Sequence, residues 1–252
     1  MKIQYASDLH LEFPENKQFL KENPIKPVGD ILVLAGDIVL FSLMKDHTDF
    51  FKYLSDNFQK TYWIAGNHEY YHTDVSNRIG TFKEEIAENV FLVNNLAIKE
   101  QNVDLLFTTL WSNISAKNEL EIKSRLSDFH VITINDEAFR PKAYNLLHQD
   151  SLVFLINELT KQSTNKRVVV SHHVPTIINY PSIYLGSKIN EAFVVDLTDL
   201  IESNIIDAWI YGHSHFNTPD FKINDTLLLT NQLGYVVYNE HGQFNRSAIL
   251  EI

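Results

Sequence analysis

The sequence predicts an α/β fold, because short apolar runs of strand length alternate with stretches of helical period from the first residues onward. Residues 2–6, 31–35 and 62–65 are apolar runs typical of strands. Between the second and third runs, apolar side chains recur at spacings of three and four over 46–57, which predicts a helix. Strand, helix and strand in this order imply parallel pairing, so the residues that follow each strand should converge on one edge of the sheet.

The rest of the chain continues the alternation without a linker or a repeat. We predict helices over 75–87, 143–159 and 191–203, and strands over 90–93, 97–99, 105–110, 167–170, 208–211, 226–230, 235–238 and 248–252. The length and the apolar content suffice for one substantial core, so we expect residues 1–252 to form a single domain.

Composition narrows the classes of function. The chain has 21 Lys and Arg against 32 Asp and Glu, a formal net charge of −11, and an acidic surface repels nucleic acid and anionic lipid. There is no cysteine, so any metal must be held by His, Asp, Glu or Asn. The start resembles no signal peptide, and the longest apolar run, 31–44, is interrupted by Gly36, Asp37 and Ser42. We therefore expect a cytoplasmic protein that binds neither membranes nor nucleic acid.

Five polar clusters follow apolar runs, and they form the candidate site. They are Asp8-Leu9-His10, Gly36-Asp37, Gly66-Asn67-His68-Glu69, Ser171-His172-His173 and Gly212-His213-Ser214-His215. Residues two apart beyond a strand project to the same side, so a carboxylate and an imidazole can share one cation. Glycine permits the tight turn that brings the next side chain to the sheet edge. One such cluster is weak evidence, but five in the same context predict a pair of adjacent metal ions.

The candidate ligands divide between two metals. Asp8, His10, Asp37 and His215 would surround one ion, and Asp37, Asn67, His172 and His213 the other. Asp37 can bridge because a carboxylate has two oxygens, and the amide oxygen of Asn67 adds a ligand without charge. Such mixed ligands suit Mn, Fe, Zn, Co or Ni and do not choose among them. Two ions can activate a bridging water for attack on phosphorus, which predicts hydrolysis of a small phosphodiester or phosphomonoester.

The same clusters, in the same order over residues 8–215, mark the calcineurin-like metallophosphoesterases, which the chain resembles. The resemblance implies a four-layer α-β-β-α sandwich of two mixed sheets flanked by helices, with the metals at the strand ends. It also implies that His68, beside the catalytic ligand Asn67, assists the leaving group from outside the metal shells. Further matches to a group of small bacterial phosphoesterases lie at 109–111, 192–193 and 231–235.

Departures from the family pattern disfavour two subfamilies and leave other readings open. Ile38 to Phe41 replace the Asp-Arg extension of the protein phosphatases, and Leu40 replaces the metal-binding tyrosine of the purple acid phosphatases. A metal-dependent nuclease would share the motifs, but the basic grip on nucleic acid is missing. A non-catalytic scaffold of the same fold is disfavoured by the intact ligands. Either Glu69 or a residue distant in sequence could orient His68.

Several neighbouring residues have less certain roles. We expect His173 to support the site rather than to bind metal, Trp111 to pack in the core or at its rim, and the loop 174–190 to wall or cover the site. Tyr70, Tyr71 and His72 fit a substrate pocket and helix packing equally well. The histidines without motif support, expected on the surface or in structural roles, are His47, His130, His148 and His241.

Overall fold

The computed structural model describes residues 1–252 and contains two six-stranded mixed sheets. The strands of the first sheet are β1 (Lys2–Ala6), β2 (Ile31–Ala35), β3 (Lys60–Ile64), β4 (Phe82–Ala87), β5 (Val90–Asn94) and β14 (Ile249–Glu251). Their order is β14-β1-β2-β3-β5-β4. The four inner strands run parallel, and the two edge strands are antiparallel to their neighbours.

The second sheet repeats this plan. Its strands are β6 (Leu96–Glu100), β7 (Val103–Thr108), β10 (Lys166–Ser171), β11 (Ala208–Tyr211), β12 (Phe221–Ile223) and β13 (Thr226–Thr230). The order is β12-β13-β11-β10-β7-β6, again with parallel inner strands and antiparallel edges. A separate hairpin pairs β8 (Thr133–Ile134) with β9 (Glu137–Ala138). Parallel inner strands bring the ends of β1, β2, β3, β10 and β11 to one side of the molecule.

Helices cover the outer faces of both sheets. They are α1 (Pro14–Glu22), α2 (Thr48–Asn57), α3 (Glu119–Arg125), α4 (Asp128–Val131), α5 (Pro141–Leu159) and α6 (Thr198–Glu202). None of them is long and apolar enough to cross a membrane.

Alternate strand residues explain the four layers. Ile3 and Val33 of the first sheet share a buried cluster with Leu105 and Val168 of the second, which is the core between the sheets. The residues between them along each strand face outward. Leu32, for example, belongs to a second buried cluster that includes residues of α2. The second sheet packs against α5 and α6 in the same manner. Because both faces of each sheet are buried, the inner strands are mainly apolar, and the predicted α-β-β-α sandwich is confirmed.

Three predicted elements are wrong. Instead of a helix over 75–87 there is one 3-10 turn, Val75–Arg78, followed by β4, whose side chains alternate and pair with β5. The predicted helix over 191–203 is reduced to α6, because Val174 forms backbone hydrogen bonds with Phe193 and Val195 and so holds that stretch extended. The predicted strand over 235–238 is a 3-10 turn, Val236–Tyr238. Helices α1, α3 and α4 were not predicted.

Candidate metal centre

The five polar clusters come together at the carboxyl ends of β1, β2, β3, β10 and β11, where the two sheets meet. Five of the seven predicted ligands have a left-handed backbone, with φ between 49° and 74°; they are Asp8, His10, Asp37, His213 and His215. Residues other than glycine rarely adopt this conformation, which costs of order 1–3 kcal/mol each and persists where packing enforces it. The turns it creates direct these side chains away from the strand line and toward one point.

Glycines make room for the converging side chains. A Cβ on Gly212 would lie 2.6 Å from Asp8 Oδ2, and one on Gly66 would lie 2.6 Å from His172 Nε2 and against Asp37 as well. Each glycine therefore accommodates ligand candidates supplied by other strands, in addition to permitting a turn. The Gly-Asn and Gly-His pairs in the sequence reflect this crowding.

The first group of predicted ligands is tightly gathered. Ligand atoms of Asp8, His10, Asp37 and His215 all lie within 4.8 Å of one another. His10 Nε2 lies 2.9 Å from His215 Nε2, and Asp8 Oδ1 lies 3.5 Å from His215 Nε2. Two imidazole nitrogens so close to each other and to carboxylates form an arrangement that suits a shared cation.

The second group shares Asp37. Asp37 Oδ2 lies 3.7 Å from His10 Nε2, whereas its Oδ1 lies 3.4 Å from His172 Nε2, so the two oxygens face different groups. The Oδ1 atom of Asn67 and Nε2 of His172 are buried without any hydrogen-bond partner. Buried polar atoms are nearly always paired. These two unpaired lone-pair donors, with His213 beside them, fit a second metal ion.

Hydrogen bonds fix which atom each of these side chains presents. His172 Nδ1 donates to the carbonyl of Ala35 at 2.9 Å, and His213 Nε2 donates to that of Ala192 at 3.3 Å. A carbonyl only accepts, so the opposite ring nitrogen is the one that can offer a lone pair to a metal. The Asn67 amide donates to Asp128 Oδ1 at 2.9 Å, which turns its oxygen toward the site.

Carboxylates orient the remaining two imidazoles. His10 Nδ1 lies 3.0 Å from Glu12 Oε1, and His215 Nδ1 lies 2.8 Å from Glu240 Oε2. Carboxylate partners of this kind fix the tautomer and raise the basicity of the free nitrogen. The roles of Glu12, Glu240 and Asp128 were not predicted from the sequence. Only Glu12 had a local signal, since it continues the alternate spacing of Asp8 and His10.

His68 lies beside the two groups of candidate ligands, next to His10. Its Nδ1 lies 3.2 Å from Glu12 Oε1, and its ring stacks on Tyr71 with centroids 4.1 Å apart. Burial alone would lower the pKa of His68, but the charges of Asp37 and Glu12 outweigh it and raise the pKa to about 9. The residue that contacts His68 Nδ1 is thus Glu12, one of the distant positions that the sequence left open.

Glu69 has a different task. It is fully buried and accepts N–H groups from Asp37 at 2.9 Å, Ile38 at 2.7 Å, Gly66 at 2.7 Å and the Trp63 indole at 3.0 Å. The three backbone donors belong to the turns after β2 and β3, and Trp63 lies within β3. Glu69 therefore ties the two turns together and does not contact His68.

Burial shapes the protonation of the imidazoles. It lowers the pKa of His10 and of His213, and neighbouring histidines lower both further, which favours the neutral ring that binds metal. Burial acts in the same direction on His172, but Asp37 outweighs it and raises the pKa to about 9. A metal at His172 would therefore displace a proton.

A cleft of about 550 Å³ opens onto these groups. Asn67, His68, Asp37, His213 and His215 lie on its floor. Part of the loop 174–190 forms one wall. The lining residues from this loop are Tyr180, Tyr184, Ser187, Ile189 and Asn190. The arrangement places the candidate ligands where a small molecule can reach them.

The residues with uncertain roles separate clearly. His173 is buried and lies 2.9 Å from the Tyr144 hydroxyl, outside both groups of candidate ligands. Trp111 is buried against Tyr144. Tyr71 lines the cleft, whereas Tyr70 is buried in the core. His47 and His148 are buried away from the cleft.

Comparison with known proteins agrees with this geometry. The solved structure of a phosphopantetheinyl hydrolase from Mycobacterium tuberculosis superposes with a TM-score of 0.71 at 15% identity, covering 99% of this chain and 95% of that one. At that identity the likeness concerns the fold. Protein L509 of Acanthamoeba polyphaga mimivirus, itself described as uncharacterized, is 32% identical over an alignment of 275 positions that covers 99% of this chain and 96% of that protein.

A family model provides the assignment. Residues 1–217 match the model of the calcineurin-like phosphoesterases, a span that contains all seven candidate metal ligands and His68. The chain belongs to the calcineurin-like phosphoesterase family and is a metal-dependent phosphoric ester hydrolase.

Proposed function

We propose that this protein hydrolyses a small phosphoester at a dinuclear metal centre. The observation that carries the proposal is the pair of buried, unpartnered atoms, Asn67 Oδ1 and His172 Nε2, beside the opposed Nε2 atoms of His10 and His215. Buried polar atoms without a partner, and two imidazole nitrogens 2.9 Å apart, are unfavourable unless cations lie beside them.

The predicted ligand sets follow from this arrangement. One ion would be held by Asp8, His10, Asp37 and His215, and the other by Asp37, Asn67, His172 and His213. Such ions, of Mn, Fe, Zn, Co or Ni, would supply a nucleophile from water and stabilise negative charge on the phosphoryl oxygens. Asp37 is the one residue common to both sets, with one oxygen toward each.

The chain itself supplies the proton for the leaving group. Glu12 holds His68 Nδ1, which leaves Nε2 facing the cleft, 3.4 Å from the Tyr235 hydroxyl. In hydrolysis water loses a proton to solvent as its oxygen bonds to phosphorus, and the bond from phosphorus to the leaving oxygen breaks. That oxygen takes a proton from His68 Nε2, which regains one from solvent. The Glu12 carboxylate at Nδ1 favours the protonated ring, from which Nε2 can donate.

Replacement of His68 separates proton donation from metal binding. We expect His68→Ala to retain both metals and to lose about 10²- to 10⁴-fold in turnover, the usual contribution of a general acid. Metal content by mass spectrometry and initial rates on an aryl phosphodiester test this. A variant that is empty of metal, or one that is fully active, would contradict the assigned role.

The reaction is tested by an activity panel resolved by metal. The protein, loaded with each candidate metal in turn, is offered an aryl phosphodiester, an aryl phosphomonoester, cyclic nucleotides, and single- and double-stranded DNA. A phosphopantetheinylated protein joins the panel because the Mycobacterium tuberculosis neighbour is named as a phosphopantetheinyl hydrolase. We expect small esters to react faster than DNA. Faster cleavage of DNA would indicate a nuclease, and failure to retain metal would indicate a non-catalytic scaffold.

A further inference from the structure

The cleft is much larger than its reacting centre requires. Its volume of about 550 Å³ lies in the range of sites that enclose a whole drug-sized ligand. The walls above the candidate metal ligands are mainly aromatic or aliphatic, formed by Phe13, Tyr180, Tyr184, Ile189, Phe193 and Tyr235. Phosphate alone has no use for such walls, so they must contact another part of the substrate.

The walls offer little for a second charged group. Arg125 is the only Lys or Arg that lines the cleft, and its guanidinium is paired with Glu121 at 3.2 Å. Glu240 adds negative charge to the lining. A polyphosphate or a carboxylated substrate would meet a single wall cation here, one that already has an acidic neighbour in Glu121. The part of the substrate that lies along the walls is therefore uncharged.

The apolar lining continues outside the cleft. Ile183 and Leu185, on either side of the lining residue Tyr184, are 69% and 67% exposed. Tyr238, which is 72% exposed, contacts the lining residue Tyr235 with ring centroids 5.9 Å apart. Exposed apolar side chains that continue a binding cleft mark a surface that receives a ligand. Ile183 and Leu185 adjoin the lining residue Tyr184 in the sequence, so an extended chain that leaves the cleft past Tyr184 would meet them.

We propose that the substrate is a phosphodiester in which one ester group is an uncharged apolar chain. The chain would lie along the wall that contains Tyr180 and Tyr184 and over the rim of the cleft, formed by Ile183 and Leu185. This inference rests on the proposed phosphoesterase function and specifies the substrate class of that same site. The chain remains on the product as an alkyl phosphate while the other alcohol leaves. Burial of its methylenes, rather than an ion pair, provides the binding free energy.

A series of esters with one leaving group tests the wall directly. The wild-type, metal-loaded protein is given methyl, butyl and octyl 4-nitrophenyl phosphates below their micelle concentrations. We expect kcat/KM to rise about tenfold from butyl to octyl, since the four added methylenes are partly buried. An octyl chain that ends in a carboxylate should lose that gain. A flat or falling series, or equal rates for the carboxylated chain, would overturn the proposal.

A matched pair of variants tests the rim. Ile183→Ser should lower the octyl-to-butyl ratio of kcat/KM about threefold or more, because the chain loses its outer contact. The control is Ile205→Ser, an equally conservative change at a residue that is 81% exposed and precedes β11, at the opposite end of the strand from the site. It should keep the wild-type ratio. Equal ratios in both variants would contradict the rim contact.

Binding without hydrolysis keeps the two proposals distinguishable. Chelator-treated protein is titrated calorimetrically with butyl and octyl methylphosphonate, and we expect the octyl compound to bind about tenfold more tightly. Should no ester be hydrolysed with any metal, this preference would still support the chain-binding cleft while the proposed function fails. Hydrolysis whose rate does not depend on chain length would support the proposed phosphoesterase function and contradict the chain-binding cleft.

Discussion

At the scale of single residues, one oxygen of Glu12 connects binding and catalysis. Glu12 Oε1 lies 3.0 Å from His10 Nδ1 and 3.2 Å from His68 Nδ1, so it orients a candidate metal ligand and the candidate acid together. Glu240 has the first of these tasks alone, at His215. The two glutamates therefore provide a natural comparison between metal orientation and proton donation.

Substitution of these glutamates should have different consequences. Glu240→Gln should weaken metal binding about 10- to 100-fold, the usual effect of losing the carboxylate behind a ligating histidine, and excess metal should restore its activity. Glu12→Gln should remain impaired at saturating metal, because the charge that holds the His68 proton is lost. Activity against metal concentration distinguishes the two. Full rescue of Glu12→Gln by metal would show that Glu12 serves His10 alone.

Asp128 holds the Asn67 amide in the orientation that exposes its oxygen. We expect Asp128→Ala to weaken binding of one of the two metals about 10- to 100-fold, since the amide is then free to rotate. Asp128→Asn keeps an oxygen that accepts the 2.9 Å hydrogen bond and should lose much less. Metal titration by calorimetry resolves the two sites. Equal losses in both variants would mean that charge, and not orientation, is what Asp128 supplies.

At the scale of elements, the ends of the parallel strands account for the site, and glycine sets how closely those ends approach. The predicted strands at 2–6, 31–35, 208–211 and 226–230 have the bounds seen in the structure. They are buried on both faces and mainly apolar, and that pattern is local. The helices predicted at 75–87 and 191–203 were wrong because pairing with β5 and with Val174 decided those segments.

The approach of strand ends can be tested at Gly66. Gly66→Ala should lower the free energy of unfolding by about 1–3 kcal/mol and weaken metal binding, because the added methyl group would overlap Asp37 and His172. Gly242→Ala is the control, since a Cβ there meets nothing within 4 Å. Denaturant unfolding and metal titration measure both effects. A Gly66→Ala protein as stable and as well loaded as the control would contradict the crowding argument.

At the scale of the whole molecule, the candidate metal centre joins the two sheets. Asp8, His10, Asp37 and Asn67 follow strands of the first sheet, and the other three candidate ligands, which are His172, His213 and His215, follow strands of the second. Much of the buried contact between the sheets is apolar. Metal ions bound at this seam would add a polar cross-link between the layers.

Metal removal should therefore lower thermal stability. A ligand at a free concentration one hundred times its dissociation constant stabilises the folded state by about 2.7 kcal/mol per site. For a chain of this length, the stabilisation by one bound metal corresponds to a Tm increase of roughly 5–10 °C. Differential scanning calorimetry with metal and with chelator measures it, and Asp37→Asn, which weakens the bridge, should show a smaller increase. Identical Tm values in wild type with and without metal would contradict a shared centre.

The sequence by itself determined the inner strands, the order of the polar clusters and the residues that gather at the strand ends, because side-chain period and short spacings are local properties of the chain. Only the tertiary structure decided that Glu240 supports His215 across 25 positions, that Asp128 supports Asn67 across 61, and which segments wall the cleft. These contacts depend on how the two sheets pack and on where the connecting loops return. Neither spacing nor composition carries that information, since a single carboxylate far along the chain has no pattern to distinguish it from a solvated surface charge.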